Sequence, residues 1–217
     1  MPRPTVWLMW HVIVPVKSWD AAKSRLALTP DQRRAIARAM TADTLAAVAA
    51  CDAVNNLTVL TNDEAMAASP ELALATDVLV QPDQLPQLDA ALAWAAQQSA
   101  HTHQGVAVLV ADLPALTPAA LALALDAAAA HQTAMATDRH GTGTTLLTAV
   151  SGSTLTPRFG TDSARRHLDA GVLQLDPTDV SAALACDVDT VEDLGVARSL
   201  GLGPNSAMVD ASLGSPP

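Results

Sequence analysis

The chain has 217 residues, half of them hydrophobic, which is enough for one domain with a layered core. Its net charge of −10, with four tryptophans and one phenylalanine as its aromatic residues, argues against a nucleic-acid partner. No apolar stretch reaches the roughly 20 residues that cross a bilayer, and the two cysteines lie far apart, so we expect a soluble, cytoplasmic protein with no membrane partner and no disulfide framework.

The predicted elements alternate between strand and helix. Residues 6–16 are apolar and β-branched, hold His11 and show no evident cleavage site, so they predict a buried first strand rather than a signal peptide. Thr29-Pro30-Asp31-Gln32 combines an N-cap, a first-turn proline and a capping-box glutamine, which predicts a helix over 30–50. Further strands are predicted at 57–61, 77–80, 106–110, 133–136, 145–150, 172–175 and 184–188, and further helices at 63–68, 88–98, 118–131, 162–169 and 190–200.

This alternation is typical of parallel βαβ units, so we predict an α/β fold. We find no internal repeat and no linker between domains. The chain is therefore expected to form a single domain over residues 1–203, followed by a disordered tail at 204–217.

The ends of the predicted strands carry charged residues. In open α/β sheets, ligands bind outside the carboxyl ends of the strands. Those ends carry Lys17, Lys23 and Arg25 after the first strand, Asp112 after the strand at 106–110, and Asp187 and Asp189 after the strand at 184–188. Cations and carboxylates are therefore predicted to share one edge of the sheet. Two local clusters of Lys and Arg in an acidic chain, at 17–38 and 139–166, indicate a small anionic ligand.

Asp187 and Asp189 stand two positions apart, so on a strand their carboxylates point the same way and repel each other. Either one is protonated, both are solvated, or a cation lies between them. With carboxylate oxygens as ligands, the cation that fits is Mg²⁺, and Asp112 is a third candidate ligand. The alternatives are that Asp189 caps the next helix with Asp187 solvated, and that Asp112 is a turn or cap residue.

Two further segments are typical of anion binding. The glycines and hydroxyls at 141–145 allow close approach of backbone amides to an anion, and residues 159–166 open a helix whose N-terminal amides favour phosphate or carboxylate. A plain hairpin turn and a well-capped helix are the alternatives. The absence of a Gly-x-x-x-x-Gly-Lys motif argues against a P-loop NTPase, and the absence of a Gly-x-Ser-x-Gly elbow argues against a hydrolase built on Ser163 and His167.

Six segments together resemble one enzyme family. They are 14–17 (VPVK), 22–26 (AKSRL), 111–116 (ADLPAL), 138–144 (DRHGTGT), 159–165 (FGTDSAR) and 186–190 (CDVDT). In this order, and spread over almost the whole chain, they resemble the 2-phospho-L-lactate and phosphoenolpyruvate guanylyltransferases of coenzyme F-420 biosynthesis.

The resemblance implies a Rossmann-like, three-layer nucleotidyltransferase fold with a mostly parallel mixed sheet, similar to molybdenum-cofactor guanylyltransferases. It implies GTP and a small phosphorylated carboxylic acid as substrates, Mg²⁺ as cofactor, and a downstream transferase of F-420 biosynthesis as a partner. The implied roles are metal binding for Asp112, Asp187 and Asp189, acid binding for Thr144, Gly160 and Ser163, and contact with the nucleotide phosphates for Lys17, Lys23 and Arg25.

One position departs from the resemblance. It implies a Leu-Asn pair before Ala90, where this sequence has Leu88-Asp89, so a strict preference for guanine stays open. The choice between phosphoenolpyruvate and 2-phospho-L-lactate and the oligomeric state stay open as well. The alternatives are a nucleotidyltransferase for a sugar phosphate or a pterin cofactor, a glycosyltransferase with an Asp-x-Asp metal pair, and a protein that binds a nucleotide without turnover.

Overall fold

The computed structural model describes residues 8–19, 23, 25–98 and 105–213. Its strands are β1 Trp10–Val16, β2 Val54–Thr61, β3 Asp77–Val80, β4 Gly105–Leu109, β5 Thr133–Thr137, β6 Thr144–Ala149 and β7 Leu173–Gln174. They form one sheet in the spatial order β3-β2-β1-β4-β6-β5-β7. Within this sheet of described strands, β6 alone runs antiparallel to its neighbours. The prediction of a mostly parallel mixed sheet is confirmed.

The helices are α1 Pro30–Ala49, α2 Leu88–Gln98, α3 Pro118–Ala128, α4 Ser163–Asp169, α5 Val191–Leu200 and α6 Pro204–Ser212. Helix α1 begins as predicted, with the Thr29 hydroxyl accepting from the Gln32 amide and the Gln32 side chain accepting from the Thr29 amide. No helix in the described ranges is long and apolar enough to cross a membrane. The predicted helix at 63–68 is instead a 3₁₀ turn at Met66–Ala68, followed by a second at Pro70–Leu72.

Both faces of the sheet are covered, because successive side chains of a strand point to opposite faces. Val12 and Val14 of β1 pack with residues of α1 and α3, including Leu45 and Leu121. Ile13 packs on the other face, with residues of α2 and α4. The result is a three-layer α/β/α core, as predicted.

The predicted strand at 184–188 is wrong. Strand β4 already pairs with β1 and β6, and β5 pairs with β6 and β7, so neither has a free edge for another strand. The segment instead makes separate hydrogen bonds: the Arg139 N–H donates to the Ala185 carbonyl at 2.7 Å, and the Val188 N–H donates to the Asp112 carbonyl at 3.1 Å. It therefore crosses the edge of the sheet without joining it.

The prediction of a disordered tail is also wrong, because residues 204–212 form α6. The helix begins with Pro204 in its first turn and has no capping side chain of its own. The buried Asp43 of α1 supplies one: its carboxylate accepts from the Asn205 amide at 3.1 Å and from the Ser206 amide at 2.7 Å. A helix cap provided by a distant residue leaves no local sequence pattern.

Candidate active site

A cavity of about 430 Å³ lies at the carboxyl ends of β1 and β4. Six of the nine predicted site residues line it: Lys17, Lys23, Asp112, Gly160, Asp187 and Asp189. Trp19, Leu88 and Phe159 supply apolar contacts. The expectation that cations and carboxylates meet at one edge of the sheet is therefore met for the five charged residues among them.

Lys23 lies between two of the carboxylates. Its ammonium contacts the Asp112 carboxylate and stands 3.1 Å from Oδ1 of Asp189, and Arg25 Nη1 lies 3.7 Å from Oδ2 of Asp189. Burial lowers the pKa of Lys23, but the charges of Asp112 and Asp189 and the hydrogen bonds to them outweigh it, so its pKa is raised. Lys23 therefore stays protonated and holds these two carboxylates near each other.

The negative charge of Asp187 is less well compensated than that of Asp112 and Asp189. Burial and the negative charges of Asp112, Asp138 and Asp189 raise its pKa to about 7, and Lys23 offsets this only in part. We call Asp112, Asp187 and Asp189 the carboxylate rim. Negative charge exceeds positive charge at the rim, because three carboxylates lie near Lys23 and Arg25.

The carboxylate rim is not a preformed three-ligand metal site. Within the described ranges, no group of three or more His, Cys, Asp or Glu residues is placed to hold a metal ion together. The Lys23 ammonium lies between two of the rim carboxylates. Since Mg²⁺ is commonly held by one or two carboxylates plus substrate phosphates, the oxygen donors present still suit it.

Asp193 fixes the backbone of the rim, and sequence reasoning missed it. Its carboxylate accepts from the amides of Asp189 at 3.2 Å and Thr190 at 2.8 Å, and from Arg139 Nε at 2.8 Å. Burial raises the pKa of Asp193, but these hydrogen bonds prevail and hold it at about 2. The N-cap of α5 is Thr190, so Asp189 does not have the capping role that was its alternative. The spacing Thr190-x-x-Asp193 is a capping-box pattern and could have revealed Asp193.

Thr144 and Ser163 do not line the cavity and are buried in a network with His167. The Arg158 N–H donates to Nε2 of His167 at 2.9 Å, and burial lowers the pKa of His167, so this ring is neutral with its proton on Nδ1. Nδ1 therefore donates to the Thr144 hydroxyl at 3.0 Å, and the Ser163 hydroxyl donates to the same oxygen at 3.2 Å. We call Thr144, Ser163 and His167 the buried network.

The segment at 141–145 joins β5 to β6 as a tight turn. The Asp138 carboxylate accepts from the Thr142 amide at 2.8 Å, and a Cβ at Gly143 would lie 2.6 Å from that carboxylate. The amide predicted to approach an anion is thus used within the turn, in agreement with the hairpin alternative.

The chain is similar to known proteins over nearly its whole length. Residues 10–204 match the family described as guanylyl transferase CofC like. The phosphoenolpyruvate guanylyltransferase of Streptomyces coelicolor is 43% identical over 210 residues, which cover 95% of this chain and 98% of that protein. The chain belongs to the CofC-like guanylyl transferase family. The resemblance indicated by the six sequence segments is confirmed.

Solved structures support the fold of this CofC-like enzyme. A Desulfovibrio desulfuricans G20 protein described as a nucleotide-diphospho-sugar transferase matches with a TM-score of 0.69 and 20% identity, covering 94% of each chain. Rv0371c of Mycobacterium tuberculosis H37Rv in complex with manganese matches with a TM-score of 0.50 and 19% identity, covering 87% of this chain and 98% of that one. At these identities the likeness concerns the fold alone, which is that of nucleotidyltransferases.

Proposed function

We propose that this chain transfers GMP from GTP to a phosphorylated three-carbon acid, with release of pyrophosphate, in coenzyme F-420 biosynthesis in the cytoplasm. Membership of the CofC-like family supports guanylyl transfer, and the relative from Streptomyces coelicolor favours phosphoenolpyruvate over 2-phospho-L-lactate as the acid. The observation that carries the proposal is that Lys17, Lys23 and Gly160 line the same cavity as the carboxylate rim.

The reaction needs no side-chain base. A phosphate monoester has a second pKa near 6, so near neutral pH the acid's phosphate is mainly a dianion and can attack the α-phosphorus of GTP directly. The new bond joins that phosphate oxygen to the α-phosphorus, and the bond from the α-phosphorus to the bridging oxygen of the β-phosphate breaks. We propose that Lys17, Lys23 and Arg25 stabilise the departing pyrophosphate, since Lys17 and Lys23 line the cavity and Arg25 lies beside Asp189.

A divalent cation fits the carboxylate rim, and we propose that it is Mg²⁺. Burial and then the negative charge of neighbouring carboxylates raise the pKa of Asp187, and the donors are all carboxylate oxygens. The manganese complex of the structural neighbour is consistent with such a site on this fold. When bound, the ion would neutralise phosphate charge, and one or two of the carboxylates of Asp112, Asp187 and Asp189 would hold it together with substrate phosphates.

The buried network supports Gly160, the predicted acid-binding residue that lines the cavity. The Ser163 N–H donates to the Gly160 carbonyl at 3.1 Å, and the Ser163 hydroxyl donates to the Thr144 oxygen at 3.2 Å. We therefore propose that Gly160 binds the carboxylate or phosphate of the acid, and that Thr144 and Ser163, which do not line the cavity, hold it in position. The product, a guanosine diphospho-linked acid, would pass to a downstream transferase of the same pathway.

The test is a pyrophosphate-release assay with purified protein, GTP, Mg²⁺ and either phosphoenolpyruvate or 2-phospho-L-lactate, and with ATP in place of GTP as a control. We expect stoichiometric pyrophosphate and a guanosine diphospho-linked acid by mass spectrometry. Absence of pyrophosphate with both acids would contradict the proposal. Release of GDP onto a sugar acceptor would instead identify a glycosyltransferase.

A further inference from the structure

The segment that carries Gly160 is held in place by side chains. Residues 154–159 lie outside every helix and strand of the described chain. The Arg158 N–H donates to Nε2 of His167 at 2.9 Å, and the Phe159 N–H donates to Oδ1 of Asp89 at 2.7 Å. Arg166 Nη1 donates to the Phe159 carbonyl at 2.9 Å. We call the side chains of Asp89, Arg166 and His167 the loop clamp.

The loop clamp joins two helices across the cavity-lining segment. Asp89 lies in the first turn of α2, and the other two members lie in the last turn of α4. Arg166 Nη2 also stands 3.4 Å from Oδ2 of Asp89, which ties the two sides of the clamp together. Phe159 and Gly160, the residues that these contacts position, line the cavity.

The clamp contacts both the buried network and the backbone next to Gly160. His167 contacts Thr144 directly, reaches Ser163 through Thr144, and holds the amide two positions before Gly160. The Ser163 N–H in turn donates to the Gly160 carbonyl at 3.1 Å. Lys17, Lys23 and Arg25, proposed to face the nucleotide, make none of these clamp contacts.

Gly160 has an unusual backbone conformation, which the clamp helps to maintain. Its φ of +110° lies in the region that L side chains rarely adopt, so the backbone turns sharply just after the clamped amides. With few backbone hydrogen bonds of its own, this segment depends on the side chains around it for a single conformation.

We propose that Asp89, Arg166 and His167 are positioning residues that set the affinity for the acid substrate by fixing Phe159 and Gly160. This rests on the proposed function, because it assumes that Gly160 contacts the acid. It also gives Asp89 a role in this chain other than a nucleotide contact, since its carboxylate is occupied by the Phe159 amide and Arg166.

The kinetic test compares Asp89→Ala with Asp89→Asn. The alanine variant loses the acceptor for the Phe159 amide, so we expect the KM for the acid to rise about tenfold while the KM for GTP stays within about twofold. The asparagine variant keeps an oxygen at Oδ1, so we expect it to recover most of the acid affinity. Asp169→Asn is the matched control, because it removes the exposed ion pair of Asp169 with Arg165 on the same helix as Arg166. A rise in the KM for GTP alone would overturn the proposal.

Amide hydrogen exchange tests the clamp without relying on turnover. We expect the Phe159 amide to be protected in the wild-type protein and in Asp89→Asn, and to exchange at least about tenfold faster in Asp89→Ala. Unchanged exchange would show that there is no clamp, and faster exchange with an unchanged KM for the acid would show that the clamp does not act on the acid. A wild-type protein that releases no pyrophosphate with either acid would overturn the proposed function. In that case, the exchange data would still test whether the clamp holds the Phe159 amide.

Discussion

The carboxylate rim and the buried network differ in how their polar groups are satisfied. At the rim, the ammonium of Lys23 pairs with Asp112 and Asp189 but not with Asp187, whose pKa is raised to about 7. In the buried network, both ring nitrogens of His167 have partners within 3.0 Å. The rim therefore keeps an excess of negative charge, whereas the polar groups of the network satisfy one another. Substitutions in the two regions should consequently change stability in opposite directions.

The largest expected effect is on turnover in Asp187→Asn. Removing one rim charge should lower kcat/KM at least about a hundredfold, because catalysis of phosphoryl-type transfer depends mainly on positioning and charge. The measurement is pyrophosphate release at saturating Mg²⁺, with circular dichroism as a check of folding. Activity close to that of the wild type would rule out Asp187 as a metal ligand.

Lys23→Met should lower kcat/KM less, by about ten- to a hundredfold. The substitution removes the cation between Asp112 and Asp189 but keeps the apolar stem of the side chain. We also expect weaker binding of GTP, measured by titration calorimetry. Arg33→Met, on the first turn of α1, is a control for the loss of one positive charge outside the cavity. Equal effects of the two substitutions would show that net charge, rather than position, is what matters.

Thr144→Val and Asp187→Asn should change the free energy of unfolding with opposite signs. The valine leaves the buried Nδ1–H of His167 without an acceptor, which costs about 1–3 kcal/mol. The asparagine removes a buried charge whose neighbours repel it, so in metal-free buffer at pH 8 it should stabilise the protein. Urea denaturation of both variants measures this contrast, and a loss of stability in both would contradict the distinction between the two regions.

The smallest expected effect is a pH-dependent thermal shift of a few degrees on addition of Mg²⁺. The folded pKa of Asp187 is raised, so the stability contributed by its proton is full below about pH 4, the unfolded pKa, and is lost as the pH rises through about 7. A cation can replace that proton, so Mg²⁺ should raise the Tm of the wild type more at pH 8 than at pH 5. A shift independent of pH would argue against binding beside Asp187.

The Asp187→Asn variant separates this effect from that of His167. The pKa of His167 is lowered, so its contribution has the opposite sign: it is present above about pH 6.5 and is lost as the pH falls towards the folded pKa. Both proteins contain His167, so it cancels in their difference. We expect the Mg²⁺ shift to vary little with pH in Asp187→Asn.

The sequence predicts the carboxylate rim well because strand ends obey a general rule. Asp112 and Lys17 follow strands whose pattern is plain, and the carboxyl ends of parallel strands lie at one edge of the sheet. Asp187 reaches the same place although its predicted strand does not exist, because the Val188 amide bonds to the Asp112 carbonyl. The predicted strand is wrong, yet Asp187 lines the same cavity as Asp112, at the predicted edge of the sheet.

The buried network and the loop clamp were not predictable in the same way. His167 and Asp89 are 78 positions apart, and their common target, residues 158–159, has no periodic pattern. Which side chains meet there depends on how α2 and α4 pack on one face of the sheet. Similarly, α6 depends on the carboxylate of Asp43 in α1. Because that partner is distant in sequence, residues 204–217 by themselves predict a disordered tail.

Asp43 connects the last helix to the rim. The hydroxyl of the next residue, Thr44, accepts a hydrogen bond from the Leu113 N–H at 3.1 Å. The Gly203 N–H donates to the Pro114 carbonyl at 2.7 Å. The turn that follows Asp112 is thus braced by α1 and by the start of α6, although α6 does not line the cavity. A truncation after Gly203 would remove the Asn205 and Ser206 amides that donate to the buried Asp43 carboxylate. We expect this truncation to reduce catalytic activity. A fusion partner attached there would risk the same remote damage to the enzyme.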